Sequence, residues 1–105
     1  NNKILSNIFN LEDKYIVELC LPGYKKKDVE IKIENNVLIV SGKREMDKYE
    51  NSNVLKQKIK DENFKKMYEL DENIDIDNIK AHFENGILKI ILTKKEKEIK
   101  KIEIK

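Results

Sequence analysis

The chain has 105 residues, of which 40% are charged, and its 22 basic and 20 acidic side chains nearly cancel to a net charge of +2. A chain of this length forms one domain with room for one core and little space for a deep internal pocket. The basic residues are interleaved with acids and no set of aromatic side chains accompanies them, so nucleic-acid binding is not indicated. The longest apolar run, residues 37–40, is far too short to span a membrane.

Cys20 is the only cysteine, so the chain cannot form an internal disulfide. A single thiol fits a reducing compartment, and we expect a cytoplasmic protein. No secretory signal pattern opens the sequence. The first residue is Asn1 instead of methionine, which suggests an excised domain or a processed product.

The first part of the chain alternates apolar and polar residues with the period of two that is typical of β-strands. Residues 8–11 form a short candidate strand after an unpatterned polar start. Residues 15–21 form a stronger candidate, and Pro22-Gly23 ends it because proline cannot donate to a strand ladder.

Two more strands are predicted after a lysine-rich loop. Residues 29–34 alternate cleanly, and Asn35-Asn36 makes the next turn. Residues 37–40 are apolar throughout, which indicates a strand that is buried on both faces. The longest and least regular connection follows, over residues 43–63.

The last part of the chain contains the strongest hairpin signal. Residues 64–70 form one strand, and residues 79–84 and 87–92 form two more around Asn85-Gly86. This dipeptide supplies both positive-φ residues of a two-residue type I′ turn. Short strands joined by turns predict an all-β fold, an immunoglobulin-like antiparallel sandwich. Its inner faces are predicted to include Val17, Leu19, Leu21, Ile31, Ile33, Leu38, Val40, Leu88, Ile90 and Leu92.

Catalytic chemistry has little support in the sequence. His82 is the only histidine and falls on the polar face of a strand, where we expect an exposed structural residue. Cys20 lies in an apolar strand with no histidine nearby in sequence, so we expect a small buried or half-buried side chain that fills space. We therefore expect no enzyme.

Metal and nucleotide binding are also not indicated. Asp71-x-Asn73-x-Asp75 begins like a calcium loop, but Ile76 stands where that loop needs glycine. The glycines at positions 23, 42 and 86 are each expected at a turn, so no glycine-rich phosphate loop exists. We expect no cofactor, and in particular no use of ATP by this domain.

Motifs in three places resemble the α-crystallin domain of small heat-shock proteins, and they occur in the order found in that family. The motifs are Asp13-x-Tyr15-x-Val17-x-x-x-Leu21-Pro22-Gly23, Ala81-x-x-x-Asn85-Gly86-x-Leu88 and Ile102-Glu103-Ile104. The resemblance covers roughly residues 9–105. The chain departs from the family at Lys66, where arginine is usual, and at Asp71, where proline is usual. The first departure puts an arginine-dependent interface in doubt.

The resemblance implies an ATP-independent holdase chaperone that binds non-native client proteins and suppresses their aggregation. Residues 1–7 would be the remnant of an N-terminal arm, residues 8–93 the α-crystallin domain and residues 94–105 a C-terminal extension. A client groove would lie between two edge strands of opposing sheets. Its predicted residues are Val29, Ile31, Ile33, Ile79, Ala81 and Phe83.

The resemblance also implies how copies of the chain assemble. Ile102 and Ile104 would anchor in the groove of another protomer, although a charged chain end by itself is more often a solvated tail. The long loop would carry a short strand over residues 54–59, with Val54, Leu55 and Ile59, that adds to a second protomer. Homodimers would result, and higher oligomers when the arms are present. Dimerisation along the strand edge at residues 64–70 is the alternative.

A second class of function is a co-chaperone adaptor of the CS-domain type, which uses the same sandwich. The chain lacks the tryptophan-containing signature of that family, and CS-domain members lack an Ile-x-Ile tail. An enzyme on a β-sandwich is the third and weakest candidate. Assembly size separates the first two, because large oligomers favour the small heat-shock protein and a monomer with its arm intact favours the adaptor. Neither nucleic acid nor membrane is expected as a partner.

Overall fold

The computed structural model describes residues 3–97 and 99–105 of the chain. Seven β-strands and one turn of 3₁₀ helix, Lys26–Asp28, make up its regular structure in this part of the chain. The strands are β1 (Ser6–Asn10), β2 (Lys14–Cys20), β3 (Val29–Glu34), β4 (Val37–Arg44), β5 (Glu62–Glu69), β6 (Ile74–Glu84) and β7 (Ile87–Lys94).

The strands form two antiparallel sheets that pack face to face. One sheet has the order β1-β2-β7-β6 and the other has the order β3-β4-β5. Each inner strand therefore has a neighbour on both sides, whereas β1, β6, β3 and β5 are edges. The prediction of an all-β immunoglobulin-like sandwich is confirmed.

Two tight turns set the register of their hairpins. Asn35 and Asn36 have φ angles of 52° and 60°, and Asn85 and Gly86 have φ angles of 53° and 76°. Asparagine and glycine are the residues that tolerate these left-handed conformations in two-residue hairpins. As a result Glu34 pairs directly with Val37 and Glu84 with Ile87, and this register determines which side chains of the paired strands face the core.

The core lies between the sheets and contains the predicted inner-face residues. Ile31 and Ile33 are only partly buried, because they lie on the edge strand β3 and pack against the core from the side. Tyr24, Phe64 and Ile74 join the core in addition. The largest side chains that are fully buried are Leu19, Leu21, Leu38, Val40, Ile90 and Leu92.

Several boundaries differ from those predicted. Strand β1 begins at Ser6, and Ile4 ahead of it is buried with 9% exposure, although the alternation of residues 4–10 is too weak to show it. Strand β6 begins at Ile74 and not at Ile79. The sequence did not show this earlier start, because a bulge between Ile74 and Ile79 interrupts the alternation that marks strands. Gly42, which we expected at a turn, lies within β4, where a Cβ would come within 2.8 Å of the Phe64 ring.

Two segments project from the sandwich. The loop of residues 45–61 joins β4 to β5 and, within the single chain, forms no strand. The tail after β7 is exposed at residues 95–97 and 99–105. The Cα radius of gyration is 19.2 Å, whereas a compact domain of this length has about 13 Å. Residues 54–59 form no strand within the single chain, and their pairing with a second protomer stays a prediction.

Candidate interaction surfaces

A groove opens between the edge strands β3 and β6, which belong to opposite sheets. Its volume is about 210 Å³. Alternation on β3 turns Val29 and Ile31 toward it, and pairing of β6 with β7 places Phe83 beside Leu88. The residues that line it are Lys26, Val29, Ile31, Ala81, Phe83 and Leu88.

The structure brings most of the predicted groove residues together. Val29, Ile31, Ala81 and Phe83 line the groove. Ile33 and Ile79 lie on the same strands but pack against the core outside the lining, because they sit farther along β3 and β6. The sequence did not reveal the contribution of Lys26, whose position depends on the 3₁₀ turn before β3.

The groove combines apolar side chains with open strand edges. Strands β3 and β6 each have a ladder partner on only one side. An extended peptide can therefore use backbone hydrogen bonds on an edge while its alternate side chains enter the groove. The ammonium group of Lys26 is the charged side chain of the lining, so an acidic residue next to an apolar segment is the best electrostatic match at that end.

The predicted anchor residues lie in the tail and contact no groove of their own chain. The side chains of Ile102 and Ile104 are 80% and 95% exposed. In an extended backbone both point to the same side, since they are two residues apart. Leaving two large aliphatic side chains in water is unfavourable, so the tail offers apolar surface to whatever can bury it.

The loop of residues 45–61 also exposes apolar side chains. Val54, Leu55 and Ile59 are all exposed, and Leu55 most of all with 91%. Together with Tyr49 they line a cavity of about 640 Å³ that is formed by the loop. The structure thus places the predicted dimer residues together on one projecting arm.

The open edge at β1, across its sheet from β6, was not assigned a role from the sequence. Strand β1 exposes Ile8 by 59% and Phe9 by 47%. Ile8 also lines a small cavity between β1 and the end of β5, together with Leu70 and Ile74. In the sequence this surface is marked by the adjacent apolar residues Ile8 and Phe9 in a short strand. The structure shows that all positions of that strand are exposed.

Two tyrosines are held by carboxylates at opposite ends of the sandwich. The Tyr15 hydroxyl donates to Asp71 Oδ2 at 2.7 Å, which raises the pKa of Tyr15. The Tyr24 hydroxyl donates to Glu62 Oε1 at 2.5 Å, and burial together with this bond raises the pKa of Tyr24. Both hydroxyls remain neutral at physiological pH and act as structural donors.

His82 and Cys20, the other residues considered for catalysis, lie on different strands. His82 is exposed on β6 and Cys20 is half-buried on β2. Among residues 3–97 and 99–105, no group of three or more metal-ligating side chains could hold a metal ion. In the same residues, no helix has the length and apolar character needed to cross a membrane.

Comparison with known proteins identifies the family. The profile of the Hsp20/alpha crystallin family matches residues 7–105. The chain belongs to this family. It is 36% identical over 104 residues to heat shock protein HSP.16.4 of Streptococcus thermophilus, and 37% identical over 102 residues to small heat shock protein C2 of Rickettsia felis. These matches cover 95% of the chain, which spans 72% and 66% of the two relatives.

Solved structures of small heat shock proteins share the fold. Heat shock protein 16.0 from Schizosaccharomyces pombe superposes over the whole of both chains with a TM-score of 0.82 and 27% identity. A small heat-shock protein from Xylella fastidiosa gives 0.80 with 21% identity, over 97% of this chain and 95% of that one. Small heat shock proteins are chaperones that do not use ATP, and they are not enzymes.

Proposed function

We propose that this domain is an ATP-independent holdase that captures partly unfolded proteins and slows their aggregation. The observation that carries the proposal is the apolar groove of about 210 Å³ between two open strand edges. Partly unfolded proteins expose apolar side chains and unpaired strands, which are the features that this groove complements. We assign the protein to the cytoplasm, with client proteins and not nucleic acid or membrane as its partners.

The Ile102 and Ile104 side chains are proposed to occupy the same groove on another protomer. Residues 8–93 would then act as the α-crystallin domain and residues 94–105 as its C-terminal extension. Because anchor and client compete for one groove, each release of a tail frees a client site. Many weak tethered contacts hold such an assembly together while each single contact opens readily. Capture of clients and exchange of subunits would follow without a nucleotide.

Dimers are proposed to form through the loop, which carries Val54, Leu55 and Ile59. Edge strand β1 of the second protomer is the acceptor that we favour, because it exposes Ile8 and Phe9. Addition of the loop as a strand would satisfy the backbone of both partners and bury the apolar side chains of both. The rival arrangement pairs the exposed edge β5 of two protomers.

Light scattering of an aggregating client, with and without the protein, tests the holdase. Replacing Ala81 by lysine places a charge in the groove, and we expect protection of the client to fall several-fold. The control is His82→Lys, which places the same charge on the outward face of the same strand. Equal protection by both variants would show that the groove does not bind client. Protection is expected to be the same with and without ATP.

A further inference from the structure

The only arginine of the chain, Arg44, lies where the loop leaves β4. Its Nε and Nη2 atoms both donate to the carbonyl oxygen of Lys60, at 3.2 and 2.9 Å. Its Nη1 atom donates to the carbonyl oxygen of Pro22 at 3.1 Å. One side chain therefore joins the beginning of the loop, the end of the loop and the turn after β2.

The guanidinium group of Arg44 is also fixed from the side of the core. It lies 5.3 Å from the centre of the Tyr24 ring, and its Nη2 is 4.0 Å from Glu62 Oε1. The Tyr24 ring in turn contacts the buried Phe64 ring edge-on, with 5.3 Å between centroids. Only 12% of the Arg44 side chain is exposed. The ties of Arg44 are thus anchored in the rigid sandwich.

A second tie joins the beginning and the end of the loop, beyond the contacts of Arg44. Asp61 Oδ1 accepts a hydrogen bond from the backbone N–H of Met46 at 2.7 Å, and both carboxylate oxygens lie 2.9 Å from the Lys48 ammonium nitrogen. The Met46 bond, followed by Lys48, lowers the pKa of Asp61. The carboxylate therefore stays charged near neutral pH, and this tie persists there.

Lysine could not replace Arg44 in these contacts. The planar guanidinium directs its donors in a fixed fork, whereas an ammonium group is a compact point charge on a flexible stem. One ammonium group cannot hold the Lys60 and Pro22 carbonyl oxygens in the same geometry. The chain uses lysine at its other basic positions, and arginine stands where one side chain donates to the backbone carbonyl oxygens of two separate segments.

We propose that Arg44, together with Asp61, is a positioning residue for dimerisation. The two ties fix the direction in which residues 45–61 leave the sandwich, and they present Val54, Leu55 and Ile59 to a second protomer in a preset orientation. An arm that is already oriented loses less conformational freedom when it binds, and this favours association. The inference depends on the loop-mediated dimer proposed above.

The decisive variant is Arg44→Lys, which keeps the charge and removes the fork. We expect the dimer dissociation constant, measured by sedimentation equilibrium, to rise about tenfold. A loop that is no longer held loses more conformational freedom on binding, and a tenfold change corresponds to ordering about one more residue. Hydrogen exchange at residues 46–61, followed at a dilution where the protein is monomeric, should become several-fold faster. The control is Lys27→Arg, the reverse exchange at an exposed lysine that lines the same surface depression as Arg44, and it should change neither quantity.

Asp61→Ala provides an independent test that does not involve the core. The Asp61 side chain is 51% exposed, so this variant is expected to fold and to weaken the dimer in the same direction. If Arg44→Lys does not fold, Asp61→Ala decides, and unchanged dimerisation in it overturns the inference.

Deletion of residues 47–60 separates this inference from the proposal on which it depends. If that deletion leaves dimers intact, the loop-mediated dimer itself is wrong. If the deletion gives monomers while Arg44→Lys and Asp61→Ala dimerise like the parent chain, only the positioning role is overturned.

Discussion

Removal of the two tail isoleucines is the sharpest test of the assembly. In the chain by itself the Ile102 and Ile104 side chains are 80% and 95% exposed, so almost all of their apolar surface is available for burial. Seating both in a groove gains about 3 to 6 kcal/mol gross. Ordering the tail costs about 1 to 2 kcal/mol per residue, and hydrogen bonds on the open edge return about 0.5 to 1.5 kcal/mol each. One contact is therefore only weakly favourable, and it depends on these two side chains.

Replacing Ile102 and Ile104 by alanine should consequently weaken each contact about a hundredfold or more. We expect sedimentation velocity to show dimers in place of larger assemblies, while the circular dichroism spectrum and the midpoint of thermal unfolding stay unchanged. Ile99→Ala is the matched control, because Ile99 is 94% exposed but lies outside the motif and has the opposite parity in an extended strand. An assembly of the same size with and without the two isoleucines would refute the groove-and-anchor mechanism.

Three further predictions concern the core, the loop and a tyrosine. Ile90→Ala should lower the free energy of unfolding, measured in urea, by about 2 to 5 kcal/mol, because Ile90 is fully buried. The same substitution at the half-buried neighbour Ile91 should lower it clearly less. Equal losses would contradict the assignment of strand faces. Deleting residues 47–60 should give monomers by light scattering, whereas persistent dimers would indicate pairing through β5. Because burial and Glu62 raise the pKa of Tyr24, its contribution to stability is complete below about pH 10 and is lost as the pH rises toward the folded-state pKa. Urea titrations from pH 8 to about 11 should therefore show a shallower decline in Tyr24→Phe than in the parent chain.

Strands with clean alternation were predictable because burial and turn chemistry agree in them. Asn85-Gly86 can occupy a two-residue turn that few other pairs tolerate, and this fixes which residues of β6 and β7 face inward. The beginning of β6 was missed because the bulge places Ile74 inside and Ile76 outside, which removes the alternation. A local pattern shows strands only where the pairing is regular.

The candidate surfaces were only partly predictable. Alternation places Ile31 and Ala81 on the core side of their edge strands, but the relative placement of the two sheets decides that they line the groove while Ile33 does not. The contacts of Arg44 could not be predicted, because its acceptors are the backbone carbonyl oxygens of Pro22 and Lys60. Their position depends on the completed fold and not on the identity of their side chains.

The outward face of the edge strand β3 carries alternating charges that oppose its stacking on identical strands. Its exposed residues are Glu30, Lys32 and Glu34, and they alternate with the half-buried Val29, Ile31 and Ile33. Stacking identical copies of this strand in register, as in a fibril, would place each charge against its own copy. An open edge with such side chains can accept one foreign strand but is a poor template for continued growth. The charged edge of β3 therefore makes the domain a poor seed for fibrils of its own chain.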